Sequence, residues 1–171
     1  MIIVAILSIA FVLRLLTLIF SIKNERRLKN EGAIEYGKKN STVMAVLHTV
    51  IYLGTITYSA LNKQQFDTVS FVGLLIWLFS FIMLILVIYQ LREVWTVKLL
   101  IAKKHKINKS FFFKYIRHPN YFLNIIPELI SITLISKFYM LFIVVFPVYL
   151  ITLVLRITEE ERVMKQNFAE F

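Results

Sequence analysis

The chain contains no cysteine among its 171 residues. This absence excludes disulfide bridges, thiolate metal sites, a cysteine nucleophile and palmitoylation. Only three histidines occur and they are widely separated, so we do not expect a zinc centre or any other metal site. Glycine and proline are scarce as well, at four and three residues, and there is no repeat or low-complexity linker. These features indicate a single domain that spans 1–171.

Apolar residues make up 58% of the chain, well above the 45–50% that is typical of soluble domains. A chain this short cannot bury such an excess in its own core, so lipid must be the remaining solvent. The apolar start is followed by further long runs and by no cleavage site, which argues against a signal peptide. Stretches of about 20 apolar residues predict membrane spans. The sequence predicts an all-α integral membrane protein of about five transmembrane helices, at roughly 1–21, 42–61, 69–91, 121–136 and 138–157. The last two form a tight helical hairpin.

Acidic residues are half as frequent as basic ones, ten against 20, and the formal net charge is +10. Strong basicity often indicates nucleic-acid binding. Here 17 of the 20 basic residues lie in or beside three polar segments, 22–41, 92–117 and 158–171. Lys and Arg accumulate in this way in cytoplasmic loops. We therefore expect these segments in the cytoplasm, the N-terminus outside, the C-terminus inside and no nucleic-acid partner.

Three ionisable residues, Arg14, His48 and Glu128, lie inside predicted spans. A charge near the bilayer centre costs about 2.5–3.5 kcal/mol even on lenient scales, so such residues usually face the protein interior. At about 1.5 Å per helical residue, all three lie roughly 9–13 Å from the cytoplasmic ends of their helices. We expect an inward-facing polar cluster with an Arg14–Glu128 ion pair. Alternatively, Arg14 snorkels to the interface and His48 is a neutral core histidine. Glu128 follows Pro127, whose helix kink favours a pocket wall.

Two cytoplasmic motifs flank the predicted hairpin. The first, Arg117-His118-Pro119-Asn120-Tyr121, places a proline at the start of the fourth span, where free N–H groups favour an anion. The second is the acidic run Glu159-Glu160-Glu161, which could bind a cation or could be a solvated amphipathic tail. A hairpin brings both motifs to the same side of the membrane. Together they would suit a zwitterionic ligand.

The order of these residues carries a family resemblance. RHPNY, then Glu128 in the span, then RITEEERVM after a hairpin, resembles the isoprenylcysteine carboxyl methyltransferase family. These are membrane enzymes that use S-adenosylmethionine. Near the N-terminus, NERRLKNEGAIEYGKKN followed by MAVLHT is similar to a bacterial branch, some members of which methylate long-chain alkylpyrones. The resemblance covers most of the chain.

The resemblance implies specific roles. Arg156, one turn before the acidic run, corresponds to the substrate-binding arginine and, with Glu128, is our candidate catalytic residue. The acceptor pocket would contain Arg14, His48 and Glu128. The residues implied to hold the cofactor are His105, Lys106, Ile107, Asn108, Arg117, His118, Pro119, Asn120, Tyr121, Glu159 and Glu160. Phe111–Phe113 departs from the Gly-Pro-Tyr that is usual in the family.

The leading hypothesis is a membrane-embedded O-methyltransferase that acts on a hydrophobic-tailed carboxylate or enol, isoprenylcysteine-like or alkylpyrone-like. Such acceptors are already anionic near neutral pH, so alignment and exclusion of water would suffice without a strong base. The acceptor would come from the bilayer and S-adenosylmethionine from the cytoplasm, in a bacterial cytoplasmic membrane. One alternative is N-methylation of an amine-headed phospholipid. The other is a non-catalytic membrane scaffold with the same fold, which the Phe111–Phe113 departure favours. No span shows a Gly-x-x-x-Gly dimer face, so no oligomeric state is predicted.

Overall fold

A computed structural model describes residues 1–101 and 118–167 of the chain. Within these ranges the protein is almost entirely helical. The helices are α1 (Ile2–Asn30), α2 (Lys38–Leu61), α3 (Thr68–Leu91), α4 (Ile126–Ser136) and α5 (Tyr139–Asn167). A 3₁₀ turn, Arg92–Val94, follows α3, and a π-helical segment, Asn120–Ile125, leads into α4. Two short strands, β1 (Ile34–Tyr36) and β2 (Leu99–Ile101), complete the described part.

Among residues 1–101 and 118–167, four helices are by length and composition able to cross a membrane, and they coincide with four of the predicted spans. They are Ile2–Asn30, Lys38–Leu61, Thr68–Val94 and Tyr139–Asn167. The predicted fourth span is the shorter apolar helix Asn120–Ser136. At about 1.5 Å per residue, its helical rise is less than the roughly 30 Å of a hydrocarbon core. The number of crossings and their orientation remain predictions.

The described parts of the segments expected in the cytoplasm contain regular secondary structure. Helix α1 continues nine residues beyond the predicted end of its span, to Asn30, and α5 continues to Asn167. Strand β1 pairs antiparallel with β2, with Ile34 opposite Ile101. This small ribbon is strand structure that the all-α prediction did not include. It joins the α1–α2 connection to the chain that follows α3.

The helices pack around a core that lies in the membrane-spanning half of the bundle. Leu7 of α1, Tyr52 of α2, Ile132 of α4 and Tyr149 of α5 are each at most 2% exposed. Helices α3 and α4 make the closest approach, because a Cβ at Gly73 would lie 2.9 Å from backbone atoms of α4. Most outward-facing Leu, Ile and Val side chains are exposed, as expected for helices that face lipid.

The predicted tight hairpin is present between α4 and α5. Helix α4 ends at Lys137, which adopts a left-handed backbone conformation with φ 56°. Its Nζ donates to Gln65 O at 3.0 Å and to Asp67 Oδ2 at 2.6 Å. The Lys137 ammonium lowers the pKa of Asp67 to about 2. This turn therefore holds the α4–α5 and α2–α3 connections together on the side opposite the β-ribbon.

Candidate functional site

The π-helical segment positions the first part of the site. Pro119 begins the helix, and the N–H groups of Tyr121 and Phe122 both donate to His118 O, at 3.1 and 3.2 Å. Pro127 has no N–H to donate in an α-helical hydrogen bond. This agrees with the wider, π-helical turn immediately before it. π-Helical turns are rare and often lie at functional sites because they rotate the side chains of one helical face. Here the rotation directs Asn120 and Tyr121 into the bundle, where they line a cleft.

The Arg117–Tyr121 motif and the acidic run Glu159–Glu161 meet through His118 and Tyr121, as the predicted hairpin requires. The Tyr121 hydroxyl donates to Glu160 Oε2 at 2.6 Å. His118 lies between two carboxylates, with Nδ1 3.6 Å from Glu160 Oε1 and Nε2 3.4 Å from Glu161 Oε1. Burial lowers the pKa of His118, but attraction to the carboxylates of Glu160 and Glu161 outweighs burial, so the pKa lies above its ordinary value. The cluster therefore favours the charged imidazolium.

Arg156 is the buried centre of this network. Arg156 lies on α5, and the residue is only 3% exposed. Nη1 donates to Ser41 Oγ at 2.7 Å, Nη2 to Val97 O at 3.0 Å, and Nε to the Tyr121 hydroxyl at 3.3 Å. These three direct partners are neutral oxygens, and the carboxylate of Glu160 is reached only through Tyr121. A buried cation therefore has no carboxylate in direct contact among the described residues.

Glu159 faces a different neighbour from Glu160 and Glu161. Its carboxylate lies against Gly37, the residue that precedes α2 and has φ +60°. A Cβ at Gly37 would overlap the Glu159 carboxylate, so only glycine leaves room for this contact. The structure thus places Glu160 with His118 and Tyr121, and Glu159 at the start of α2. Glu161 contacts His118 although it was not among the predicted site residues.

A second cluster lies deeper in the bundle and contains the ion pair that the sequence predicts. Arg14 Nε donates to Glu128 Oε1 at 2.7 Å, and Nη2 bonds the other carboxylate oxygen. Arg14 Nη2 also reaches Asn124 Oδ1 at 3.2 Å. The Tyr52 hydroxyl donates to Glu128 Oε1 at 2.6 Å. Glu128 is 2% exposed, so this pair is buried, and the snorkelling alternative for Arg14 is wrong.

His48 joins the same layer from α2. Its Nε2 lies 3.7 Å from Glu128 Oε2, beyond hydrogen-bonding distance, and is buried with no hydrogen-bond partner among the described residues. Its Nδ1 lies 3.3 Å from the Tyr149 hydroxyl. Arg14, His48 and Glu128, which the sequence predicts to share one depth, are therefore neighbours. Their roles in binding or catalysis remain predictions.

One cleft connects the two clusters. It lies between α1 and α2 and contains about 930 Å³ of space unfilled by protein atoms, part of it open to the surroundings. Its polar lining includes Arg156 and Tyr121 at one end and Arg14, His48 and Tyr149 at the other. Its apolar lining residues are Phe11, Leu15, Leu18, Met44, Ala45 and Ile125. An apolar cleft of this size with a few convergent polar groups is the usual form of a small-molecule site.

Sequence reasoning missed several members of these clusters. Tyr52, Asn124 and Tyr149 are polar-tipped residues inside apolar runs, and the spacing of Asn120, Asn124 and Glu128 places them on one helical face. This spacing was the feature of the sequence from which Asn124 could have been predicted as a member of the cluster. Five predicted cofactor residues lie outside the described residues, namely His105, Lys106, Ile107, Asn108 and Arg117. The Phe111–Phe113 departure lies outside them as well.

Comparison with known proteins agrees with this arrangement. An uncharacterized protein of Haemophilus influenzae (strain Rd) is 45% identical over 156 residues, which cover 91% of each chain. The uncharacterized protein YpbQ of Bacillus subtilis (strain 168) is 24% identical over 145 residues, 84% of this chain and 85% of YpbQ. No solved structure matches the chain. The family model of the isoprenylcysteine carboxyl methyltransferases matches residues 72–166, which include the Arg117–Tyr121 motif, Glu128 and the acidic run Glu159–Glu161. The chain therefore belongs to the isoprenylcysteine carboxyl methyltransferase (ICMT) family, whose members are methyltransferases.

Proposed function

We propose that this protein is an S-adenosylmethionine-dependent O-methyltransferase whose acceptor is a lipid-like carboxylate that binds in the cleft between α1 and α2. One observation carries the proposal: Arg156 is a buried cation that lines the cleft, and its direct partners among the described residues are all neutral oxygens. Membership of the ICMT family implies methyl transfer in general. The charge of Arg156 is what favours an anionic acceptor.

The physical reason lies in the free energy of burying a charge. An ion moved out of water loses several kcal/mol of hydration unless an opposite charge or a full set of hydrogen bonds replaces it. Arg156 has hydrogen bonds to Ser41, Val97 and Tyr121, but no carboxylate in direct contact among the described residues. A carboxylate in the cleft would supply that charge. An ammonium head group would place a second cation beside Arg156, which disfavours the amine-methylating alternative.

The residues around His118 fit the cofactor by their chemistry. S-adenosylmethionine carries an anionic carboxylate, a cationic amine and a cationic sulfonium. His118 Nδ1 is buried with no hydrogen-bond partner among the described residues, so it has a donor to offer when the imidazole is charged. Glu160 and Glu161 offer acceptor oxygens for a cation. We therefore assign this end of the protein to the amino-acid part of the cofactor.

When bound, S-adenosylmethionine would supply the methyl group. A carboxylate oxygen of the acceptor would form the new O–CH₃ bond while the C–S bond breaks and its electron pair stays on sulfur. The products would be a neutral thioether and a methyl ester. A carboxylate is already deprotonated, so no base is required and no proton moves. The chain's own contribution is to place the acceptor. Arg156 would hold the carboxylate, and the walls of α1 and α2 would keep water away from it.

The test compares Arg156→Gln with Arg162→Gln, a matched loss of one arginine that lies exposed further along α5. Labelled methyl transfer to octadecanoic acid is measured in detergent, and cofactor affinity is measured by calorimetry. We expect Arg156→Gln to raise the acceptor KM by at least tenfold while cofactor affinity and thermal unfolding stay close to wild type. Arg162→Gln should change neither quantity. The label should be released by base, because an ester is base-labile.

Two results would contradict the proposal. The first is a wild-type protein that does not bind S-adenosylmethionine, which would support the scaffold alternative. The second is a base-stable label recovered in amine-headed lipids, which would support N-methylation. An Arg156→Lys variant serves as a check on folding, because it keeps the positive charge while losing the planar fork of donors.

A further inference from the structure

Polar side chains line the cleft at two depths, a cytoplasmic level at Arg156 and a deep level at His48 and Tyr149. Helices α2 and α5 run antiparallel and touch at both levels. Ser41 meets Arg156 at 2.7 Å near the cytoplasmic end, and His48 meets Tyr149 at 3.3 Å deeper in the bundle. On each helix the two positions are seven residues apart, which corresponds to about 10 Å along the axis. Members of both levels line the same cleft, so one bound molecule could contact both.

The two levels differ in charge. At the cytoplasmic level Arg156 is a cation without a carboxylate in direct contact among the described residues. At the deep level Arg14 is balanced by Glu128, so the pair is neutral overall. A second anion placed there would add a net charge to a region of low dielectric, which is costly. The deep level therefore suits an uncharged polar group.

A free donor is available at the deep level. A guanidinium has five N–H donors. Arg14 uses Nε and Nη2 for Glu128 and Asn124, while Nη1 makes no hydrogen bond to any described residue. Arg14 lines the cleft, and the Tyr149 hydroxyl, which can donate or accept, lines it beside His48. Because Arg14 lines the cleft, a molecule bound there could accept a hydrogen bond from this group.

We propose that the acceptor carries a second polar group, an uncharged hydroxyl or carbonyl, about eight bonds along its chain from the carboxylate, at roughly 1.2 Å per bond of an extended chain. Arg14 Nη1 donates to this group while Arg156 holds the carboxylate. This inference rests on the proposed function, since it assumes that the carboxylate is at Arg156. It narrows the acceptor from any hydrophobic-tailed acid to a hydroxy or oxo acid that is functionalised in the middle of its chain.

A plain alkyl or isoprenoid tail would fit the cleft less well. It would place hydrocarbon against Arg14 Nη1 and leave that donor without a partner, which costs about 1–3 kcal/mol for a buried polar group. A polar group at either end of the chain would not reach the deep level. The structure therefore favours one position of the polar group over others. A free-energy difference of this size corresponds to roughly five- to 140-fold in binding.

The experiment measures binding, so it does not depend on turnover. The full-length protein in lipid nanodiscs is loaded with labelled octadecanoic acid and challenged with four unlabelled competitors. These are octadecanoic acid and hydroxyoctadecanoic acids with the hydroxyl next to the carboxylate, at the middle of the chain, or near the methyl end. We expect the mid-chain hydroxy acid to compete about tenfold better than the other three. Binding of S-adenosylmethionine is measured in parallel by calorimetry.

Variants connect the preference to Arg14. The double variant Arg14→Met with Glu128→Leu removes the donor without leaving a lone buried charge, and it should bind all four acids alike. The matched control, Asp67→Asn with Lys137→Met, removes an ion pair at the opposite end of the bundle and should keep the preference. Equal competition by all four acids in wild type, no binding of any acid, or a preference that persists in the Arg14 and Glu128 double variant would each overturn the inference. Failure to bind S-adenosylmethionine would instead overturn the proposed function.

Discussion

Arg14 on α1 and Glu128 on α4 are 114 residues apart in the sequence, yet the guanidinium of one bonds both carboxylate oxygens of the other. The Glu128 side chain is 3% exposed and that of Arg14 is 16% exposed. Glu128 also accepts a hydrogen bond from the Tyr52 hydroxyl of α2. Asn124 extends the network, since it accepts from Arg14 and donates to Asn120 Oδ1 at 3.1 Å. Asn120 lines the cleft, so the ion pair also holds a residue of the candidate site in place.

Breaking this pair from one side should destabilise the protein strongly. Glu128→Leu alone leaves the Arg14 cation buried without its carboxylate, which costs about 3–5 kcal/mol. The double variant Arg14→Met with Glu128→Leu leaves no lone charge and should recover most of that loss. Unfolding by denaturant in detergent micelles measures both. If the single and double variants proved equally unstable, the loss would have to be attributed to packing, and the ion pair would not be the cause.

Replacement of Gly37 should affect the start of α2 and Glu159 together. Gly37 has φ +60°, which is strained for any residue with a Cβ, and the added Cβ of Gly37→Ala would overlap the Glu159 carboxylate. We expect Gly37→Ala to lower the thermal unfolding temperature by several degrees and to weaken S-adenosylmethionine binding through displacement of Glu159. Combination with Glu159→Asp, which shortens the side chain, should restore part of the stability.

The matched control for Gly37 is Gly54→Ala in the same helix. There the new Cβ would lie 3.0 Å from Leu141 Cδ2, the end of a flexible side chain, and φ is not positive. We expect little change in either the unfolding temperature or cofactor binding. A Gly54→Ala variant as damaged as Gly37→Ala would show that α2 tolerates no added volume at all. The effect of Gly37→Ala could then not be attributed to its contact with Glu159.

The contribution of His118 to stability should depend on pH. Burial alone would lower the pKa of His118, but Glu160 and Glu161 hold it above its ordinary value of about 6.5. The charged form is therefore favoured in the folded protein. Its stabilisation is complete below about pH 6.5, where the unfolded chain also holds the proton, and is lost as pH rises through the raised folded value.

His118→Gln removes this titration while keeping a polar side chain. Wild type should lose stability relative to His118→Gln as pH rises from 6 towards 8, on the scale of the shift in pKa. Unfolding temperatures of the two proteins across this range provide the measurement. A constant difference between them at every pH would mean that the two glutamates do not favour the charged imidazole.

The sequence predicted the polar layer correctly because depth along a helix follows from residue number alone. Arg14, His48 and Glu128 share a depth, and lipid excludes all three, so they meet. The rotation of a helix about its axis does not follow from residue number. Adjacent residues point about 100° apart. For this reason the acidic run predicted a cluster but not that Glu160 and Glu161 contact His118 while Glu159 contacts Gly37.

The β-ribbon and the π-helical segment were beyond sequence reasoning for a different reason. Strands of three residues, such as Ile34–Tyr36, carry too few alternations to show a period, and their pairing joins chain segments that are far apart in sequence. The π-helical segment lies directly before Pro127, where the sequence predicts a kink but not the form that the kink takes. The π-helical segment supplies Asn120, Tyr121 and Ile125 to the lining of the cleft. Prediction was therefore weakest where the candidate site is most specific.

The absence of cysteine allows a direct test of orientation. Seventeen of the 20 basic residues lie in or beside the three segments that we expect in the cytoplasm, because Lys and Arg are retained on that side during insertion. We therefore expect Gln65→Cys, between α2 and α3, to react in intact cells with a maleimide that cannot cross membranes. Lys39→Cys, at the start of α2, should react only after the cells are opened. Both positions are exposed, so access to reagent differs only by the side of the membrane. Labelling of Lys39→Cys in intact cells would reverse the orientation and place Arg156 and the proposed cofactor site on the outer face.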